Sequence, residues 1–248
     1  MRIQNKIFRV SAVWAATAVA FAAAPQHATD ALQLVADLNA NPANVNVYDA
    51  DGTLTDQIDW TGNQRTAVSV CATFVTMLLK HSYGLTDAQF KARTGSSSPN
   101  SSKYYDAIAA WSGFEPVAGV DQLTQGDVIA IKYPAGQNST GHTMIVDTVF
   151  TFQSRVLSNQ TFLANNGEPT VAGYFDISVI DSSASYHGKT DTRYLKPGGI
   201  GRNGIFRIFV DSAWKITGYT WSNEKTSVYR KAADGYLTGL GRLQLAGW

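Results

Sequence analysis

The 248-residue sequence predicts an α+β fold, with helices first and an antiparallel sheet after them. Three observations lead there. Apolar residues recur at helical spacing in several stretches up to Trp111. From Gly126 onward the chain turns to short runs rich in β-branched and aromatic residues, separated by Gly, Asn, Ser and Asp. The clearest helix, Cys71 to His81, places Cys71, Phe74, Val75, Leu78 and Leu79 on one face, so that a sheet can pack against it.

The elements follow in order. Asp30 to Leu38 spaces Leu32, Val35 and Leu38 at helical intervals, and Asn41-Pro42 stops that helix. Val45 to Tyr48 alternates like a short strand. Gly84 ends the cysteine helix, and Thr86 caps a short helix that ends near Gly95. Thr94 to Ser102, rich in serine, is an exposed loop before a helix over Lys103 to Trp111. Strands are expected over Asp127 to Tyr133, His142 to Val149, Phe175 to Ile180, Gly204 to Val210 and Trp214 to Trp221. There is no internal repeat.

The first residues have the form of a processing segment. Arg2, Lys6 and Arg9 precede an apolar, alanine-rich run from Val10 to Ala24. A run of roughly 15 residues suits a signal-peptide core and is too short for a membrane helix. Residues 1–28 are therefore expected to be removed on export, leaving one domain over 29–248 in a periplasmic or secreted setting. A formal net charge of +1, with no basic stripe, argues against nucleic acid as a partner. No later stretch is long and apolar enough to span a membrane.

An exported chain with a single cysteine has no disulfide to make within itself. Cys71 opens a helix, where the dipole and free backbone N–H groups favour an anion and lower a thiol pKa. A nearby imidazole would hold the proton and later deliver it to a leaving group. Of the four histidines, His27 lies beside the export segment. His81 is ten residues along the same helix, about 15 Å away, and suits the helix C-terminus as a cation. His142 and His187 remain, and His142 opens a strand directly after a glycine.

The order of these features carries a resemblance. A helix-opening cysteine, then "Leu-Thr-Gln-Gly-Asp-Val-Ile-Ala-Ile", then "Gly-His-Thr-Met-Ile-Val", is similar to the NlpC-type and CHAP group of papain-like cysteine hydrolases over roughly residues 66 to 185. The resemblance implies a papain-like fold with a central Cys-bearing helix packed on an antiparallel sheet. It implies Cys71 as nucleophile and His142 as base, and its third polar residue falls at Asp181, in "Val-Ile-Asp-Ser-Ser-Ala-Ser". Asp147 is a second candidate for that role, but its odd spacing from His142 puts it on the opposite strand face. The segment around the nucleophile departs from the family, reading Val-Cys-Ala-Thr-Phe-Val where Asp-Cys-Ser-Gly-Phe-Val is common. The Cys71 N–H would be one oxyanion donor. Gln64, Tyr48 and Trp60 are open alternatives for the other, and His187 is a candidate substrate contact at the rim.

A second motif competes. "Tyr-Asp-Ala-Asp-Gly-Thr-Leu-Thr-Asp", residues 48 to 56, resembles the first motif of haloacid-dehalogenase-type Mg²⁺-dependent phosphatases, with Asp49 as nucleophile and Asp51 as acid/base. Against it, the preceding strand alternates instead of being continuously apolar, and the only Gly-Asp, Gly126-Asp127, lacks the further acidic residue the metal site needs. The expectation is thus an exported thiol hydrolase that cleaves amide bonds in peptidoglycan or peptides, without metal or cofactor. The alternatives are a phosphatase or an inactive binding domain of the same fold, which a thiol too buried to react would mark.

Overall fold

The computed structural model describes residues 23–154 and 170–248 and is a mixed α+β structure. The basic and apolar residues on which the export expectation rests lie almost wholly outside the described residues. Among those described, no helix is long and apolar enough to cross a membrane.

Among the described residues four α-helices precede the large sheet, with three short strands between the first and second: α1 (Gln26–Ala40), α2 (Cys71–Tyr83), α3 (Asp87–Thr94) and α4 (Ser101–Ala109). Each end has a local cause. Gly84 closes α2 at φ +65°, a conformation glycine adopts without strain. Thr86 and Gln89 exchange hydrogen bonds at the start of α3, and Asn100 Oδ1 accepts from the Lys103 N–H at the start of α4. The expected exposed loop before α4 is thus partly structural, since Ser101 is a buried helical residue.

A small sheet lies beside the helices. Its strands are β1 (Val45–Tyr48), β2 (Gln57–Ile58) and β3 (Thr66–Ser69), with β3 parallel to β1 and antiparallel to β2. The remaining strands are β4 (Phe114–Pro116), β5 (Val128–Lys132), β6 (Gly141–Val149), β7 (Gln153–Ser154), β8 (Gly173–Ser183), β9 (Gly199–Val210), β10 (Ile216–Thr220), β11 (Arg230–Lys231) and β12 (Leu237–Leu243). They form one antiparallel sheet in the order β11-β10-β9-β8-β6-β5-β12-β4, with β7 added against β8.

The sheet has an apolar layer on each face. On one, Phe74, Val75, Leu78 and Leu79 of α2 pack with Leu34 and Val35 of α1 over Val128, Ala130, Ile145 and Ile180. On the other, Ile129, Ile131, Met144, Val146, Ile177, Phe206 and Tyr219 cluster, with β10 curling toward β12. Successive residues of β5 and β6 alternate between these layers, as the pleat requires.

One strand beyond those expected is β12, which inserts between β5 and β4 although its sequence contains Gly239 and Gly241, residues that weaken a strand. A Cβ at Gly241 would come within 2.6 Å of Ile108, so the glycine lets α4 lie close to the sheet. The beginning of the domain differs too. The expected boundary at residue 28 falls inside α1, and His27 is buried there. Its Nε2–H donates to the Gly126 carbonyl at 2.6 Å and its Nδ1 accepts from the Tyr83 hydroxyl at 2.7 Å. Burial lowers its pKa, in keeping with this neutral tautomer.

Candidate active site

The peptide before α2 is extended at Val70, and Thr73 Oγ1 accepts the Val70 N–H at 3.0 Å, which fixes the entry into the helix. Cys71 is the first helical residue. It is 6% exposed yet lines a cleft of about 310 Å³ together with Tyr48, Ser98, Asn100, Ser101 and Asn138. A larger cavity of about 580 Å³, between the start of α1 and Arg242, is lined by none of these groups.

His142 is the second residue of β6. Gly141 before it sits at φ +135°, and a Cβ there would overlap the Ile131 carbonyl oxygen, so the neighbouring strand requires glycine at this position. The charges of His142 and Cys71 act on one another. The His142 Nε2 lies 2.5 Å from Asp181 Oδ2 on β8, which leaves Nδ1 free of that carboxylate. Its ring also meets Trp221 edge-on, at 5.1 Å between centroids.

The electrostatics follow from this contact. Burial by itself would push the Cys71 thiol up. The His142 charge and hydrogen bonds from His142, Ser101 and the Thr143 N–H outweigh it, so the pKa falls below its ordinary value. Burial would lower His142, but the facing sulfur charge and the Asp181 hydrogen bond raise it to about 10. The two shifts have opposite signs, and both favour the thiolate–imidazolium pair over the neutral one. For Asp181, burial is outweighed by Arg193, His187 and the bonds from both imidazoles, which hold the carboxyl well below the usual range.

Asp181 is fully buried and its carboxylate is clamped. Arg193 Nη2 donates to Oδ1 at 2.7 Å, and Nη1 donates to the backbone carbonyls of Asp181 and Gly199. Asp191 holds the same guanidinium through Nε and Nη2 at 3.0 and 2.8 Å. His187 Nε2 meets Asp181 Oδ2 at 2.9 Å, while its Nδ1–H donates to the Trp221 carbonyl at 2.8 Å.

Several sequence-derived candidates lie elsewhere or act differently. Gln64 is exposed at the end of β3 far from Cys71 and donates to the Ala43 carbonyl at 3.0 Å. Trp60 stacks flat on His81 at 4.1 Å, beside the C-terminal turn of α2. Neither reaches the cleft, because the chain enters α2 from the opposite end of β3. His187 is 4% exposed and supports Asp181 from beneath, so it is not a rim contact for substrate. Tyr48 does line the cleft: β1 pairs it with Ser69, two residues before Cys71. Burial, followed by the charges of Cys71 and Asp181, pushes its phenol up, so it stays a neutral O–H donor. Asp147 bonds to Ser178 and Arg202, away from His142.

The sequence reading passes over Ser101, whose Oγ lies 3.6 Å from the Cys71 sulfur and which nothing in its local sequence marks. It groups Arg193 with His187 in a polar cluster after Asp181; in the structure that arginine clamps the Asp181 carboxylate.

The phosphatase-like stretch behaves as a loop. Asp49 accepts from the Thr53 N–H and hydroxyl and, at 2.8 Å, from the Leu54 N–H, while Asp51 is exposed. Among the described residues, His142, Asp181 and His187 are the group compact enough to hold a metal ion. An ion there would displace the hydrogen bonds from both imidazoles and lie beside the Arg193 guanidinium, so the donor set suits a hydrogen-bonded charge cluster.

Comparison with known proteins gives one relative. The chain is 31% identical over 170 residues to a protein of Acanthamoeba polyphaga mimivirus named "Uncharacterized protein R653", an alignment covering 66% of this chain and 72% of that one. No protein-family model matches the chain, and no solved structure matches it significantly.

Proposed function

The chain belongs to the family of that mimivirus protein, and we propose that it is a papain-like thiol hydrolase of the NlpC/CHAP kind that cleaves amide bonds through an acyl-enzyme. Peptidoglycan amides, or peptides, are the proposed substrates, and export is part of the same reading, resting on the basic and apolar first residues. The observations that carry the proposal are the charge of the His142 imidazole acting on the Cys71 thiol and the hydrogen bond from that ring to the clamped Asp181 carboxylate. A helix bearing the sulfur and packed on an antiparallel sheet bearing the histidine supports the papain-like fold.

The chemistry would run as follows. The Cys71 thiolate attacks the acyl carbon, and the developing oxyanion is met by the Cys71 N–H at the helix start and the Tyr48 hydroxyl in the cleft wall. The imidazolium gives its proton to the leaving amine as the C–N bond breaks, leaving a thioester. Water then loses a proton to neutral His142 and attacks the thioester. The acid departs, and the thiolate–imidazolium pair is restored. Asp181 keeps one face of the ring occupied, so the other nitrogen stays aimed at the sulfur.

The test is hydrolysis of purified peptidoglycan fragments and of synthetic peptides by the protein and its Cys71→Ala variant. Release of new amino groups by the first and none by the second is the expected result. Equal release by both would overturn the proposal.

A further inference from the structure

The sulfur has a second neighbour besides the imidazole. α2 begins at Cys71 and α4 begins at Ser101, so two helix N-termini meet at one point of the cleft. Ser101 is 2% exposed, and its Oγ lies 3.6 Å from Cys71 Sγ. Thr143, fully buried on β6, donates its hydroxyl proton to Ser101 Oγ at 3.0 Å. An oxygen that is already accepting points its own proton elsewhere. Here the sulfur is the acceptor within reach.

We propose that Ser101 is a further catalytic residue, donating a hydrogen bond to the Cys71 thiolate, with Thr143 as the positioning residue that fixes the direction of that bond. The relay is Thr143 O–H to Ser101 Oγ, then Ser101 O–H to sulfur. When the sulfur carries its proton, both hydroxyl rotors turn and the relay runs the other way, from S–H to Ser101 to Thr143. No proton is transferred along it, so it stabilises charge without competing with His142 for the proton. It rests on the reading of Cys71 as an activated thiol.

Other groups around the sulfur leave this assignment readable. From β6 it faces His142 and the Thr143 N–H, and from β1 and the end of β5 the phenols of Tyr48 and Tyr133. Asp181 on β8 stands behind the His142 ring. Both phenols are pushed up by burial and stay neutral near pH 7. His187 meets the same Asp181 oxygen as His142, with the two rings 6.0 Å apart edge-on, so the His142→Ala and Ser101→Ala profiles are read against the same His187 background.

The experiment follows iodoacetamide alkylation of Cys71 from pH 4 to 10 in the full chain and four variants. Ser101→Ala is expected to move the profile to higher pH and slow labelling about tenfold on its acid limb, since hydrogen bonds to charged groups are the strong ones. The rate at the alkaline plateau is expected to hold. Thr143→Val should move the profile in the same direction by less, and Ser101→Thr, which keeps the hydroxyl, should leave it in place. If the native profile is acid-shifted and His142→Ala moves it, while Ser101→Ala and Thr143→Val do not, Ser101 has no such role and the hydrolase reading stands. If the native profile is that of an ordinary thiol and His142→Ala changes nothing, the hydrolase reading itself falls. A lower plateau with an unmoved profile in Ser101→Ala marks a packing role only and also overturns the proposal.

Discussion

Asp49 and Asp181 are both buried aspartates in stretches that resemble hydrolase motifs, and the structure uses them in opposite ways. Asp49 finds its partners within five residues and ties up its own loop. Asp181 draws partners from β6, from the segment after β8 and, through Arg193, from Asp191 and Gly199. A contiguous motif is recognisable in sequence because it is local. For the same reason it can be satisfied locally and do nothing more than shape a turn. Charges gathered from distant segments cost desolvation that only mutual contact offsets, so their convergence is the more informative observation.

The contrast can be broken by substitution. The largest effect is expected at His142: replacing it by Ala should slow iodoacetamide labelling of Cys71 at pH 7 about 100-fold, the lower end of what a positioned base contributes. An unchanged rate would separate the sulfur from the imidazole. Next, Asp181→Asn should destabilise the fold by about 3–5 kcal/mol in urea unfolding, because Arg193 and the imidazoles lose their buried counter-charge. Asp49→Asn should cost about 1 kcal/mol and leave labelling untouched. Equal costs would dissolve the distinction between the two aspartates.

The pH dependence sharpens it further. Asp181 titrates below its unfolded range, so its contribution to stability is present above about pH 4 and is lost as the pH falls through its depressed folded value. His142 has the opposite sign: its contribution is complete below about pH 6.5 and fades as the pH rises through about 10. Stability of the native protein should therefore decline at both ends, and Asp181→Asn should flatten the acid side.

Much of the architecture was visible beforehand because it depends on local rules. The apolar face of α2, the cap at Thr86 and the β-branched run of β6 are all written in neighbouring residues. β3 and β12 were not, since their strand character depends on partners: β12 tolerates two glycines because α4 must approach it. At the site, the order of Cys71, His142 and Asp181 along the chain is legible in the sequence; the structure bonds His142 to Asp181 and sets the His142 charge against the Cys71 thiol. Gln64 is suggested by its spacing from Cys71, with Trp60 as another possibility; in the structure Gln64 precedes β3 and bonds to Ala43, and Trp60 stacks on His81 beside the C-terminal turn of α2. His187 reads as rim from its closeness in sequence to Asp181; that closeness reflects a buried network in which His187 bonds to the same carboxylate.

The cleft wall around Cys71 is built from Tyr, Ser, Asn, Pro, Thr, Gly, Ala and Val, none of which carries a formal charge. Long-range attraction therefore contributes little to how a molecule reaches the sulfur. Capture would depend on shape and on neutral amide and hydroxyl contacts, and would proceed at much the same speed in dilute buffer as in brine.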